Sequence, residues 1–281
     1  MSTKVIGVDL GATNVRGAVV TGDKLSAIIS ARIHSEGSVD DVLNDIYQVV
    51  DQLMADDIAA IGIGVPSVVD VEQGIVYDVL YIPSWVEVPL KKHMEARYHV
   101  PVFVNNDANC FAVGEYHLGK GGGVDSMIGL TLGTGLGAGV IINKKLFAGY
   151  NCGAGEFGLL DYKDNILEYY ASGSFFQNVY GLDGTQVFAD AQKGDKRALE
   201  LYAELGTHIG HAVKMVIYAL DPQLIILGGS VRLAFDYFQK TMWDEIRTCV
   251  YTKSAERIRV EASELQNSGI LGAAALYYDA Q

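Results

Sequence analysis

Two stretches of this chain are built alike: "GVDLGATNVRGAVV" at residues 7–20 and "GLTLGTGLGAGVII" at residues 129–142. Each is an apolar run, a bend rich in Gly and Thr, and a second apolar run. Gly allows unusual backbone angles and lets a ligand come close to the main chain. The amides and the Thr hydroxyl at such a bend become donors for phosphate oxygens. One such unit alone is explained by turn geometry. Two of them, one with the charged Asp9 inside an apolar strand, point to a polyphosphate gripped from two sides.

The rest of the chain alternates strands and helices around these hairpins. The pattern predicts strands over 4–10, 14–20, 25–33, 58–65 and 102–105, then 127–132, 136–142, 224–227 and 258–262. Helices are expected over 39–54 with Ser38 as N-cap, and over 90–98, 107–118, 165–180, 185–192, 195–220 and 269–278. Gly228-Gly229-Ser230 opens a further helix, and 148–164 reads as an irregular Gly-rich loop. The reading is an α/β protein of two domains, divided near residue 106.

Charge and composition narrow the function. A net charge of −13 argues against a nucleic-acid surface, which needs a basic patch. It leaves nucleotide binding open, since a few backbone amides hold phosphates locally. Cys110, Cys152 and Cys249 form no CxxC pair, which fits a reducing compartment and offers no disulfide framework. The apolar start is interrupted at once by Asp9, unlike a secretory leader, and no stretch is long enough for a membrane span. A cytoplasmic protein without membrane or nucleic-acid partners is expected.

A second feature is "VPVFVNNDANCFAVGEY" at 100–116, where a short apolar run ends in a carboxylate flanked by amides. Asp107 can cap the helix that follows. It can also act as a general base, orienting a hydroxyl and accepting its proton late in phosphoryl transfer.

The order of the first hairpin, the NDAN helix, "LGTGLGAG", "GAGEFG", "LEYYASG" and "PQLIILGGS" resembles the ROK family of sugar kinases. That family belongs to the actin/hexokinase/Hsp70-like ATPase superfamily, whose two ribonuclease H-like domains enclose a cleft; the resemblance implies domains of 1–105 plus 267–281, with the last helix packed back on the first domain, and 106–266. The resemblance implies an ATP- and Mg²⁺-dependent kinase acting on the 6-hydroxyl of a hexose, glucose first, commonly as a homodimer. It implies Asp107 as the catalytic base and Asn106 as a ligand of neighbouring sugar hydroxyls. Asp9, Gly11, Thr13 and Asn14 match the first phosphate motif, with Asp9 holding Mg²⁺ through water. Gly133, Thr134, Gly135 and Gly137 match the second, and Gly228 and Gly229 stand where the family holds adenosine. Glu156 and Glu168 match sugar ligands, carboxylates that can accept from vicinal hydroxyls. Ser67 aligns with a small residue lining the sugar site.

The chain departs from the family in one place. Many members carry a histidine after G-E-x-G, followed by a zinc-binding cysteine cluster. Here Leu159 replaces the histidine and the cluster is missing, so no structural zinc is expected. His208 and His211, at i and i+3, are too few to hold a metal alone. Tyr81 stands where many relatives have asparagine. Both changes bear on sugar choice, and an N-acetylglucosamine or N-acetylmannosamine kinase is the alternative. The competing classes are a non-catalytic sugar sensor and a transcriptional regulator of the same family. A regulator is expected to carry a helix-turn-helix segment ahead of the first hairpin. An iron–sulfur-linked ATPase of the superfamily would need suitably spaced cysteines.

Overall fold

The structure is a computed structural model and describes residues 3–281. Its contacts divide the chain into two compact units. The first comprises the residues up to Gly123, Gly139–Ala154 and Glu264–Gln281; the second comprises Val124–Ala138 and Gly155–Ser263.

The first unit is built on a mixed sheet. Strand β1 (Lys4–Leu10) pairs antiparallel with β2 (Asn14–Thr21), which also takes β3 (Lys24–Leu25) and β4 (Ile29–Arg32). After helix α1 (Val39–Asp51), β5 (Ile58–Val65) joins parallel to β1. A small sheet follows, β6 (Val68–Asp70), β7 (Ile75–Tyr77) and β8 (Glu87–Val88). Helix α2 (Leu90–Tyr98) then leads to β9 (Val102–Asn106), parallel to β5, and α3 (Asp107–Leu118). Alternation along β1 sorts its side chains between two cores. Ile6, Val8 and Leu10 face Val42, Ile46 and Val49 of α1, whose Ser38–Asp41 capping box is formed. Val5 faces Ile270 and Ala274 of the last helix, α10 (Ser268–Asp279), and Asp9 lies on this side of the strand. A methyl group at Gly7 or Gly62 would run into the Ile270 and Ala273 carbonyls, so these glycines let α10 lie directly on the sheet.

The second hairpin is β10 (Ser126–Leu132) and β11 (Leu136–Ile142), and the boundary between the units falls inside β11. β11 turns back as β12 (Lys145–Leu146) through Asn143 and Lys144, both at positive φ. The small hairpin β13 (Asp161–Tyr162) and β14 (Asn165–Ile166) precedes α4 (Leu167–Tyr170), α5 (Phe175–Tyr180), α6 (Gly184–Gln192) and the long α7 (Lys196–Leu220). Strand β15 (Leu224–Gly228) pairs parallel with β10. Helices α8 (Phe235–Ile246) and α9 (Thr252–Arg257) lead to β16 (Arg259–Ala262), parallel to β15. The sheet order is β12-β11-β10-β15-β16.

Several elements depart from the sequence reading. The strand expected over 25–33 is broken into β3 and β4, because the Ser26 hydroxyl accepts from Val19 N–H and donates to the Ala27 carbonyl. The helix expected over 165–180 is interrupted between α4 and α5, where Gly173 N–H donates to the Gly133 carbonyl instead of continuing a helical ladder. A 3₁₀ turn, Ser230–Ala234, precedes α8. The small β6–β8 sheet was not foreseen. By their contacts residues 107–118 pack in the first unit, on α10, whereas the sequence reading groups them with the second domain.

Candidate active site

Strand register assembles the first unit's share of the site. Asp9 on β1 is level with Gly64 on β5, and Gly64 with Asn105 on β9. All three stand at the C-terminal ends of parallel strands, the edge where open α/β sheets bind ligands. Two strand spacings separate the Asp9 and Asn105 rows by about 10 Å. Asp9 also pairs with Arg16 across the hairpin, Nη2 to Oδ2 at 2.6 Å, and Gly269 packs against its carboxylate. The turn itself is tight: Gly11 N–H donates to the Asn14 carbonyl at 3.0 Å, and Thr13 and Asn14 are exposed.

Asn106, not Asp107, caps α3. Its Oδ1 accepts from Ala108 N–H at 2.9 Å and Asn109 N–H at 3.4 Å, and its Nδ2 donates to the Ser67 carbonyl at 3.3 Å. The sugar-ligand role expected of Asn106 is thus accompanied by a structural one. Asp107 is the first helical residue and exposed, with Oδ1 2.8 Å from Ala108 N–H. The partial positive charge at a helix N-terminus suits a carboxylate there. Ser67 donates its hydroxyl to the Tyr77 carbonyl and presents its own carbonyl to Asn106.

The second unit holds the other motif residues. Gly133 N–H donates to the Gly135 carbonyl at 3.0 Å, closing the bend and leaving Thr134 exposed. The Thr131 hydroxyl donates to the Gly137 carbonyl at 3.3 Å across the hairpin. The Thr134 carbonyl accepts from the hydroxyls of Ser172 at 3.0 Å and Ser174 at 2.7 Å. Gly229 sits at φ 73°, and a side chain there would strike the Leu132 carbonyl and come within 2.8 Å of Gly133 N. This juxtaposition places Gly228 and Gly229 beside the second Gly-rich bend. A cavity of about 450 Å³ adjoins it, lined by Gly133, Thr134, Ser174, Phe188, Tyr202 and Leu233 among others. Apolar side chains such as Phe188 and Leu233 and polar ones such as Asp183, Thr185 and Tyr202 line it together, a mixture that suits a base and its ribose.

Glu168 Oε2 accepts from Leu136 N–H at 2.7 Å, so this expected sugar ligand also braces the hairpin. Glu156 lies in the exposed loop before the 3₁₀ turn Phe157–Leu159; burial of its surroundings and the Glu168 carboxylate push its carboxyl above the ordinary range. Leu159 is 61% exposed and Tyr81 58%. His208 and His211 serve packing: His208 Nδ1 meets the Tyr162 hydroxyl at 3.0 Å, and the His211 ring lies 4.5 Å from that of Tyr162. Burial, followed by the Lys163 charge, lowers His208 to about 4.

No cluster of three or more metal-ligating side chains gathers among the described residues. Magnesium does not require one, since it keeps waters and takes most of its other ligands from nucleotide phosphates. The hard oxygens of Asp9 and the exposed Thr13 hydroxyl are chemically suited to it. Sequence reading missed Arg16, Asn105, Asn109, Ser172 and Ser174. Arg16 was within reach, because a hairpin turning at residues 11–13 sets it opposite Asp9.

A model of the ROK family matches residues 5–280. The chain belongs to the ROK family. A glucokinase of Thermotoga maritima is 29% identical, covering 97% of this chain and 96% of its own. The crystal structure of a ROK family glucokinase from Streptomyces griseus, in complex with glucose and AMPPNP, is 29% identical with a TM-score of 0.79, covering 97% of this chain and 98% of that one. The xylose repressor of Bacillus subtilis is also similar, 26% identical over 98% of this chain and 77% of its own length. The fold is the actin/hexokinase-like ATPase fold of ROK sugar kinases, as the sequence led one to expect.

Proposed function

We propose that this protein transfers the γ-phosphoryl group of ATP to the 6-hydroxyl of a hexose, with glucose as the main substrate. The observation that carries the reading is the strand-to-helix turn at 105–107. There Asn106 takes the capping duty, and Asp107 presents an exposed carboxylate on the same sheet edge as Asp9. The glucokinases among its relatives support the choice of chemistry.

In this reading Asp107 accepts a hydrogen bond from the 6-hydroxyl and takes its proton as the new O–P bond forms. The bond from the γ-phosphorus to the bridging oxygen breaks, and ADP leaves with that electron pair. The amides of Thr134 and Gly135 and the Thr134 hydroxyl hold phosphate oxygens, and the cavity beside Gly229 takes the adenosine. Magnesium, when bound, neutralises phosphate charge, and Asp9 would hold it through water. Glu156, Glu168, Asn106 and Ser67 would contact the sugar. With Leu159 in place of a polar residue and Tyr81 exposed, discrimination at the sugar is weaker, because sharp rejection comes from unpaired buried polar groups. N-acetylglucosamine, N-acetylmannosamine and mannose are the next candidates. The reading includes a homodimer and a cytoplasmic location, the latter consistent with three buried cysteines outside any disulfide.

The repressors among the relatives supply the second reading, a sugar-binding regulator without turnover. ADP release separates the two, measured with glucose, mannose, N-acetylglucosamine, N-acetylmannosamine, fructose and allose. Asp107→Ala is expected to lose about 10³-fold in kcat while remaining folded. A variant keeping a tenth of the wild-type rate refutes Asp107 as the base. A wild type that binds ATP and turns over no sugar supports the regulator.

A further inference from the structure

Asn105, buried immediately before the cap of α3, is the hub of a small network. Its Oδ1 accepts from the backbone N–H of Asn106 at 2.8 Å, from Nδ2 of Asn109 at 2.9 Å and from the thiol of Cys152 at 3.3 Å. Nδ2 of Asn109 also donates to Cys152 Sγ at 3.4 Å. Asn109 is 1% exposed, and its Oδ1 has no hydrogen-bond partner among the described residues. Three of these residues flank Asp107 in sequence. Cys152 comes from a distant loop and is packed into the first unit's core.

The backbone at Cys152 makes its presence informative. Its φ is 58°, the left-handed region that favours glycine, and the side chain is nevertheless 5% exposed and engaged. A side chain kept in such a conformation is held there by its surroundings. A glycine would relieve the backbone but would leave Asn105 Oδ1 without the thiol donor.

We infer that Cys152 is a positioning residue for Asp107: its thiol fixes the Asn105 side chain, which holds the Asn106 amide and so the strand-to-helix turn on which Asp107 stands. The inference rests on the kinase reading for its effect on rate, and on the network alone for its effect on the turn. Cys152 touches no reacting atom. A shift of the base by a fraction of an ångström is enough to slow transfer.

The test compares Cys152→Ala, Cys152→Gly and Cys152→Ser with the full-length wild type. It reads kcat, KM for sugar and ATP, thermal midpoint, and hydrogen exchange at the Asn106 amide. Alanine is expected to lower kcat about tenfold with KM for ATP within about twofold, and to speed exchange at Asn106. Serine, whose hydroxyl can donate to Asn105, restores kcat to within about threefold of wild type and restores slow exchange. Glycine, at ease at this φ, keeps the wild-type thermal midpoint yet shows the alanine rate, which a purely structural role would not produce. Wild-type kcat and exchange in the alanine and glycine variants would overturn the inference, as would a serine variant no better than alanine. If the wild type phosphorylates no sugar, the kinase reading fails by itself. Exchange at Asn106 then still decides the inference, faster in alanine upholding it and unchanged overturning it.

Discussion

In the first hairpin Asp9 and Arg16 face each other across the strands as an ion pair; in the second, the matching places in the sequence hold the uncharged Thr131 and Ala138. The bends close differently, Gly11 N–H on the Asn14 carbonyl and Gly133 N–H on the Gly135 carbonyl, but the parallel neighbours match. Asp9 is level with Gly64 on the next parallel strand, and Thr131 is level with Gly228. The strand after that brings Asn105 to the row in one sheet, and Ser263 continues just beyond Ala262 in the other. One plan therefore carries two chemistries. The first sheet edge gathers ionised groups, Asp9, Arg16 and Asp107, suited to a metal and a proton. The second has no charge in the bend's own residues and is tied from outside: its carbonyls accept from Ser172, Ser174 and Gly173, and the Glu168 carboxylate, packed against Gly135, holds Leu136. In the proposed reading such a cradle of neutral amides gains from rigidity, because its donors are aimed before a phosphate arrives.

This contrast can be broken from either side. The largest effect is expected from Gly229→Val. It forces a branched side chain into left-handed backbone and against the Leu132 carbonyl, costing about 3 kcal/mol of stability and abolishing nucleotide binding. Denaturant titration and calorimetry with ATP would check it, and a variant that binds ATP normally would show that the bend does not need this support. Asp9→Asn comes next. It removes charge from the first edge without changing shape, and kcat is expected to fall about 100-fold, with the Mg²⁺ needed for half-maximal rate raised. Unchanged Mg²⁺ dependence would remove Asp9 from the metal's ligands. The smallest effect sharpens the comparison through pH. His208, packed against Tyr170 of α4, is neutral in the fold because burial holds it at about 4, against 6.5 when unfolded. Below pH 6.5 the unfolded chain takes up a proton that the folded one does not, so stability falls as pH drops and stops falling near 4. The loss is about 2 kcal/mol by pH 5, read from thermal midpoints, and His208→Phe should flatten it. An unchanged slope in that variant would assign the acid sensitivity elsewhere.

Much of this was legible in the residues. β1, β5, α2, α3 and β11 lie where the sequence pattern puts them, and Ser38 caps α1 as expected, with Asp41 completing a capping box in the structure. These signals are local, since period, cap and turn chemistry act within a few residues. The break between α4 and α5 was not legible, because what competes with the helix there is the Gly133 carbonyl, some forty residues away in sequence. Asn105 and Cys152 were passed over for the same reason. An asparagine beside NDAN and a cysteine in a Gly-rich loop carry no mark of each other until the chain brings them to 3.3 Å.

The sequence by itself determined the repeated hairpins, the alternation of strands and helices, and the family, since each is written in neighbouring residues or in the order of motifs. Only the tertiary structure decided that Asn106 rather than Asp107 caps α3, and that a thiol from a distant loop braces the turn beneath Asp107. Those assignments depend on which buried donor finds which acceptor. Strand register and packing of the whole unit settle that choice.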